Sequence, residues 1–217
     1  LQKNSKIDFT DPFIRACFSK SFEICHFFVE KKVFLNFIHL CKEASRVTVC
    51  DEKTFDLLFN ICDSEMKEMF LGCFFYEAIK NKNKSLIHFM LKKEVSYDCA
   101  LFEAVQTHDI DIVNMILEND SKPSFVNRIC KNGTALNIAV CNNDIQIVRR
   151  LLSVPGINPS LYESNGFTPL ISAVNFSSDI EILNELLQFY GDDIQFQSWQ
   201  IYKALKIIIK KYLFAFI

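Results

Sequence analysis

Nine cysteines and four histidines are the side chains with the best prospect of chemistry in this 217-residue chain. Their tightest cluster is Cys25-His26 with His39 and Cys41. A structural zinc site needs ligand pairs a few residues apart at both ends, so that four donors can converge. Cys25 and His26 are adjacent, and neighbours on a helix point to different sides. Core cysteine and surface histidine are therefore the expectation. A Cys/His nucleophilic pair would need an activating neighbourhood, and none marks any of these cysteines. Asp109-Ile110-Asp111 and Asp192-Asp193 bring carboxylates together, but Asp109 suits a helix cap and Asp192-Asp193 follow Gly191 in a turn. The five glycines, at 72, 133, 156, 166 and 191, are scattered, so no Gly-rich loop cradles a phosphate. Neither a His-Glu-x-x-His pair nor a Gly-x-Ser-x-Gly elbow occurs. The sequence predicts no catalytic, cofactor-binding or metal-binding residues, no cofactor, and no enzyme.

Composition narrows the partners. A net charge of −2 lacks the clustered cations that phosphate backbones require, so no nucleic-acid partner is expected. Half the residues are apolar, ample for a continuous core. The cysteine number is odd and shows no framework spacing, and residues such as Cys25 fall at apolar positions. They read as small buried hydrophobes of a reducing, cytoplasmic (intracellular) compartment. No charged-then-apolar leader opens the chain, which begins at Leu1 as a fragment would.

The elements that must organise these residues come from a stretch that repeats itself. Asn132-Gly133-Thr134-Ala135-Leu136-Asn137-Ile138-Ala139-Val140 is followed by Asn143-Asp144, Ile147-Val148 and Leu151-Leu152. Gly166-Phe167-Thr168-Pro169-Leu170-Ile171-Ser172-Ala173-Val174 is followed by Ser178-Asp179, Ile182-Leu183 and Leu186-Leu187. Ala139 and Ala173 lie 34 residues apart, as do Leu136 and Leu170. Such a period means stacked supersecondary units. Thr134 or Thr168 can cap a first short helix, with Pro169 where no N–H is needed. Asp144 or Asp179 then caps a second helix with paired apolar residues. Helices of about ten residues are marginal alone in water, so packing must hold them.

With each Ala set as zero, Ala104, Ala78 and Ala16 carry the same apolar offsets upstream, and the last repeat needs one inserted residue after Ala173. The cap position reads Ser21, Asn83, Asp109, Asp144 and Asp179, all strong N-cap types. The pattern resembles the ankyrin repeat, whose signature is G-x-T-P-L-H-x-A and a paired-apolar second helix. Phe167-Thr168-Pro169-Leu170 and Ala173 match it, as do Thr134-Ala135-Leu136 and Ala139 with Pro and His replaced. Asn137 and Ile171 hold the His position, so the hydrogen bond usual there is expected to be weakened or lost. The resemblance implies an all-α, ankyrin-like α-solenoid of stacked helix–turn–helix repeats.

The expected organisation is degenerate helical units over 1–72, repeats over 73–199 and a capping or amphipathic helix over 200–217. In the first region, Val33–Cys41, Thr54–Ile61 and Glu65–Leu71 read as helices. In the last, Ile201, Leu205, Ile208, Ile209, Tyr212 and Phe216 share one helical face, with Lys203, Lys206 and Lys210 opposite. That tail suits a cover for the last repeat or, in the alternative reading of a membrane-associated adaptor, a lipid surface. Four Lys in 17 residues do not suit a bilayer span.

With chemistry absent, function should lie on the concave side formed by first helices and finger tips, and the partner should be a protein. The resemblance implies contact positions at the finger tip and just after the Ala pair. These are Ser164, Asn165, Phe167, Asn175 and Phe176 in the last repeat. One repeat earlier they are Cys130, Lys131, Cys141 and Asn142, before that Gln106 and Thr107, and Lys80 and Asn81 earlier still. Phe167 and Phe176 stand out, because aromatic anchors are enriched in binding hot spots.

Overall fold

A computed structural model describes residues 8–19, 21–31, 39, 56, 59–60, 64–92, 98–131, 133–162, 166–176 and 180–190. The chain divides into two compact units, Leu1–Ala100 and Leu101–Ile217. Eleven helices and no strand occur among the described residues, apart from an isolated bridge between Cys130 and Gly133.

In the first unit, α1 (Thr10–Phe18) packs against α2 (Phe22–Glu30), and α3 (Ser64–Lys80) against α4 (Lys84–Lys92). Phe13, Ala16 and Cys25 are buried at their template positions, as are Phe75, Ala78, Leu86, Ile87 and Met90. Asn83 Oδ1 accepts the Leu86 N–H at 3.2 Å and so caps α4. Helix α3 is longer than the sequence suggests: the segments before and after Leu71 form one continuous helix of 17 residues, through Gly72. The segment Val33–Cys41 and most of Thr54–Ile61 lie outside the described residues.

The second unit contains α5 (Ala100–Gln106), α6 (Ile110–Asn119), the single turn α7 (Pro123–Val126), α8 (Ala135–Cys141), α9 (Ile145–Leu152), α10 (Pro169–Phe176) and α11 (Ile180–Tyr190). Like packs on like: α8 lies against α10, while α9 lies against both α6 and α11. Within each pair, α8 also packs on α9 and α10 on α11. Ala104, Ala139 and Ala173 are all buried, with Leu101, Leu136 and Leu170 beside them. They occupy equivalent places in successive layers, as a solenoid requires.

The turn between paired helices has one recurring shape. Lys82, His108 and Asn143, each four residues after the Ala, have φ of 55°, 56° and 58°. In the best-formed case the Asp144 N–H bonds the Ala139 carbonyl at 3.1 Å and the Asn143 N–H bonds Val140 at 3.0 Å. That pair of bonds closes the carbonyls orphaned at a helix end, with a left-handed residue just past it. The next residue then caps the second helix: Asp109 accepts from the N–H groups of Asp111 and Ile112, and Asp144 from Ile147 at 3.2 Å. Cap and turn are thus set by two adjacent side chains.

Candidate functional site

The site is assembled from the starts of first helices and the loops before them. Thr134 and Asn137 form a reciprocal cap at the head of α8. The Asn137 N–H donates to Thr134 Oγ1, the Thr134 N–H to Asn137 Oδ1, and the Thr134 hydroxyl reaches the same oxygen at 2.6 Å. Asn137 is fully buried, and its Nδ2 donates to the Phe167 carbonyl at 3.3 Å. The expected weakening at this position is therefore wrong for Asn137, whose amide bonds its own helix start and the next loop together. Ile171, the counterpart in α10, has no polar side-chain atom and packs in the core instead. There Thr168 Oγ1 still accepts the Ile171 N–H, at 3.4 Å.

Two further clasps hold the loop of residues 156–159, one to the layer before it and one to the layer after. Asn127 accepts the Asn158 N–H at 2.7 Å and donates to the Gly156 carbonyl at 2.8 Å. Gly156 has φ of 79°, and a Cβ there would meet Pro123 Cγ at 2.7 Å. The Tyr190 hydroxyl donates to the Pro159 carbonyl at 2.7 Å, and burial pushes that phenol up to about 12. Across α9 and α11, Arg149 pairs with Glu185 at 2.6 Å and Glu181 at 3.2 Å.

The sequence-derived contact residues fall into different settings. Lys131, at φ 53° in the Cys130–Gly133 turn, lies 2.6 Å from Oε1 of buried Glu103 and over the Phe102 ring. The contact is an ion pair without hydrogen-bond alignment. Thr107 is buried, its hydroxyl donating to the Ala104 carbonyl at 2.7 Å. Gln106 is exposed, while Cys141, Asn142 and Asn175 are half-buried. Asn142 ends α8, its N–H on the Ile138 carbonyl. Ser164 and Asn165 lie outside the described residues. In the first unit, Lys80 is exposed, its ammonium over the Tyr76 ring, and Asn81 is half-buried. Phe167 and Phe176 come together, ring centroids 6.0 Å apart and tilted by 41°. Phe176 keeps 57% of its surface exposed, and Tyr162, on the loop before Phe167, is exposed too.

Groups suited to other chemistry are absorbed by structure. Asp109 caps α6, and His39 Nε2 lies 2.9 Å from Asp11 Oδ1. Cys25, Cys73 and Cys141 are not disulfide-bonded, but Cys99 and Cys130 are, so the reading of every cysteine as a reduced hydrophobe fails for these two. Among the described residues, no group of three His, Cys, Asp or Glu could hold a metal ion. None of their helices is long and apolar enough to cross a membrane.

Paired short helices in register, first on first and second on second, with loops clasped to the layer before, define a helical-repeat solenoid. Residues 101–198 match the family profile described as ankyrin repeats, in three copies. Two fowlpox virus (strain NVSL) proteins described as ankyrin repeat proteins are similar to this chain. One is 28% identical over 124 residues, 53% of this chain and 36% of its own length. The other is 31% identical over 111 residues, 51% of this chain and 24% of its own. The chain thus spans about a third of one and a quarter of the other. Residues 101–198 therefore carry ankyrin repeats, and ankyrin repeats are general protein–protein interaction modules.

Proposed function

We propose that this chain is a non-catalytic interaction module that binds a partner protein on the first-helix side of its repeats, anchored by Phe167 and Phe176. The observation that carries this is the tilted ring pair itself. An aromatic pair with one ring more than half exposed sits where the preceding repeat places Gly133 and Asn142. Aromatic rings bring large contact area at low ordering cost, which favours them as binding anchors. Gln106, Asn142, Asn175 and Cys141 would frame such a contact. Lys131, held by Glu103, would present a fixed backbone turn rather than a searching ammonium. A rigid stack needs no cofactor to do this.

The test is affinity capture from cell lysate with the intact chain and with a Phe167→Ala, Phe176→Ala double variant of unchanged circular dichroism. Proteins retained by the parent and lost by the variant are expected. An identical set of retained proteins would remove this face from consideration.

A further inference from the structure

We infer that the partner segment received on the first-helix side is acidic, with a carboxylate seated on Arg128 and an apolar side chain against Ile129. This rests on the interaction module proposed above and adds the chemistry of its ligand. Charge is sorted along the second unit. Residues 109–120, which are α6 with both its caps, hold Asp109, Asp111, Glu118 and Asp120 and no cation. Residues 121–142, which are the next loop and first helix, hold Lys122, Arg128 and Lys131 and no carboxylate. Cations of the second helices are taken up within the stack, Arg149 by Glu181 and Glu185 and Arg150 by Asn114. Lys131 is likewise held by buried Glu103, whereas Lys122 and Arg128 are exposed. Asp120 sits beside Lys122 and accepts its backbone N–H at 3.0 Å, so Arg128 is the principal contact.

Its neighbour decides between anions. Ile129 is 56% exposed, between Arg128 and the disulfide-bonded Cys130. A nucleic-acid backbone seeks clustered cations and aromatic stacking, and an aliphatic side chain offers neither. A peptide can set a carboxylate on the guanidinium fork and an apolar side chain beside it. The loop is held in place for this, because Asn127 donates to the Gly156 carbonyl and accepts the Asn158 N–H. Those two bonds put Arg128 and Ile129 beside the loop that carries exposed Tyr162 and leads to Phe167. Packed helices of adjacent layers stand about 10 Å apart, which about three extended residues span. One short acidic segment can therefore reach from Arg128 to the ring pair of Phe167 and Phe176.

Panning a phage-displayed library of random short peptides on the intact chain tests this, with the selected peptides then synthesised and titrated by fluorescence anisotropy. Selected sequences are expected to carry Asp or Glu next to aliphatic or aromatic residues. Their affinity should fall about tenfold in Arg128→Glu, less in Arg128→Lys and in Lys122→Glu, and should weaken as salt rises. Arg128 lies on an exposed loop beyond α7, and an unchanged urea midpoint verifies the fold of each variant. Selection of neutral or basic peptides overturns the inference, as does selection of none, or binding indifferent to Arg128→Glu. So does a single-stranded oligonucleotide or a phosphatidylserine vesicle that binds the parent more tightly than the selected peptides and is lost in Arg128→Glu, since the cation then serves phosphate. The Phe167→Ala, Phe176→Ala variant separates the two readings. Acidic peptides held equally by it keep this inference and remove the aromatic anchor, while neutral peptides lost by it do the reverse.

Discussion

The repeat around Ala139 and the repeat around Ala173 share a backbone plan and use their side chains in opposite directions. The earlier one turns polar groups inward: Asn137 bonds the next loop, and Lys131 meets the buried Glu103. The later one turns apolar groups outward: Phe176, Ile180 and Leu187 are all exposed. A layer with neighbours on both sides can satisfy buried polar atoms from either of them. Among the described residues the last layer has a neighbour on one side only, and its surplus apolar surface is what remains for binding or covering. Position in the stack, more than local sequence, decides what a repeat presents.

If the shared plan is real, its core should respond equally in both layers. Leu136→Ala and Leu170→Ala, both buried, should each lower stability by about 3 kcal/mol in urea denaturation. A gap larger than about 2 kcal/mol between them would mean that the two cores are not equivalent. The polar contrast should show next. Asn137→Ala should cost about 2 kcal/mol, because it strands the Thr134 N–H and the Phe167 carbonyl. A loss under about 0.5 kcal/mol would mean that the amide clasp holds nothing.

The smallest effect concerns pH and belongs to the last layer. Tyr190 ionises at about 12 in the folded chain against an ordinary 10.0, so the unfolded phenol gives up its proton first. Its contribution is whole below pH 10 and is lost as pH rises towards 12, by about 1 kcal/mol near pH 11. Denaturation at pH 9 and pH 11 should show this slope, and Tyr190→Phe should abolish it. An unchanged slope in the variant would assign the effect to other groups.

Much of this architecture is written in residue types. Small residues at 104, 139 and 173, apolar pairs after them and Asp109 and Asp144 as caps encode close approach, burial and helix starts directly. The left-handed turns are not legible in that way, because Lys82 and His108 are neither Gly nor Asn, and only the packed hairpin imposes their φ. Bonds between layers are hidden as well: Asn137 to Phe167 and Asn127 to Gly156 join a side chain to a distant carbonyl, which leaves no periodic trace. For the candidate surface, Phe176 is conspicuous as an aromatic where polar residues are usual. Thr107 looks like its equal by position, yet it closes a buried turn, a role that depends on its hydroxyl geometry.

The hairpin bends of the second unit carry side chains where none is needed. A glycine would trace the same bend without a side chain, but the chain carries an imidazole at His108 and an amide at Asn143. His108 Nδ1 stands 3.7 Å from Asp144 Oδ2, so the rim of one layer touches the rim of the next through unlike groups. Layers fitted edge to edge in this manner cannot be shuffled or duplicated as interchangeable bricks. Each one is keyed to its own place in the row.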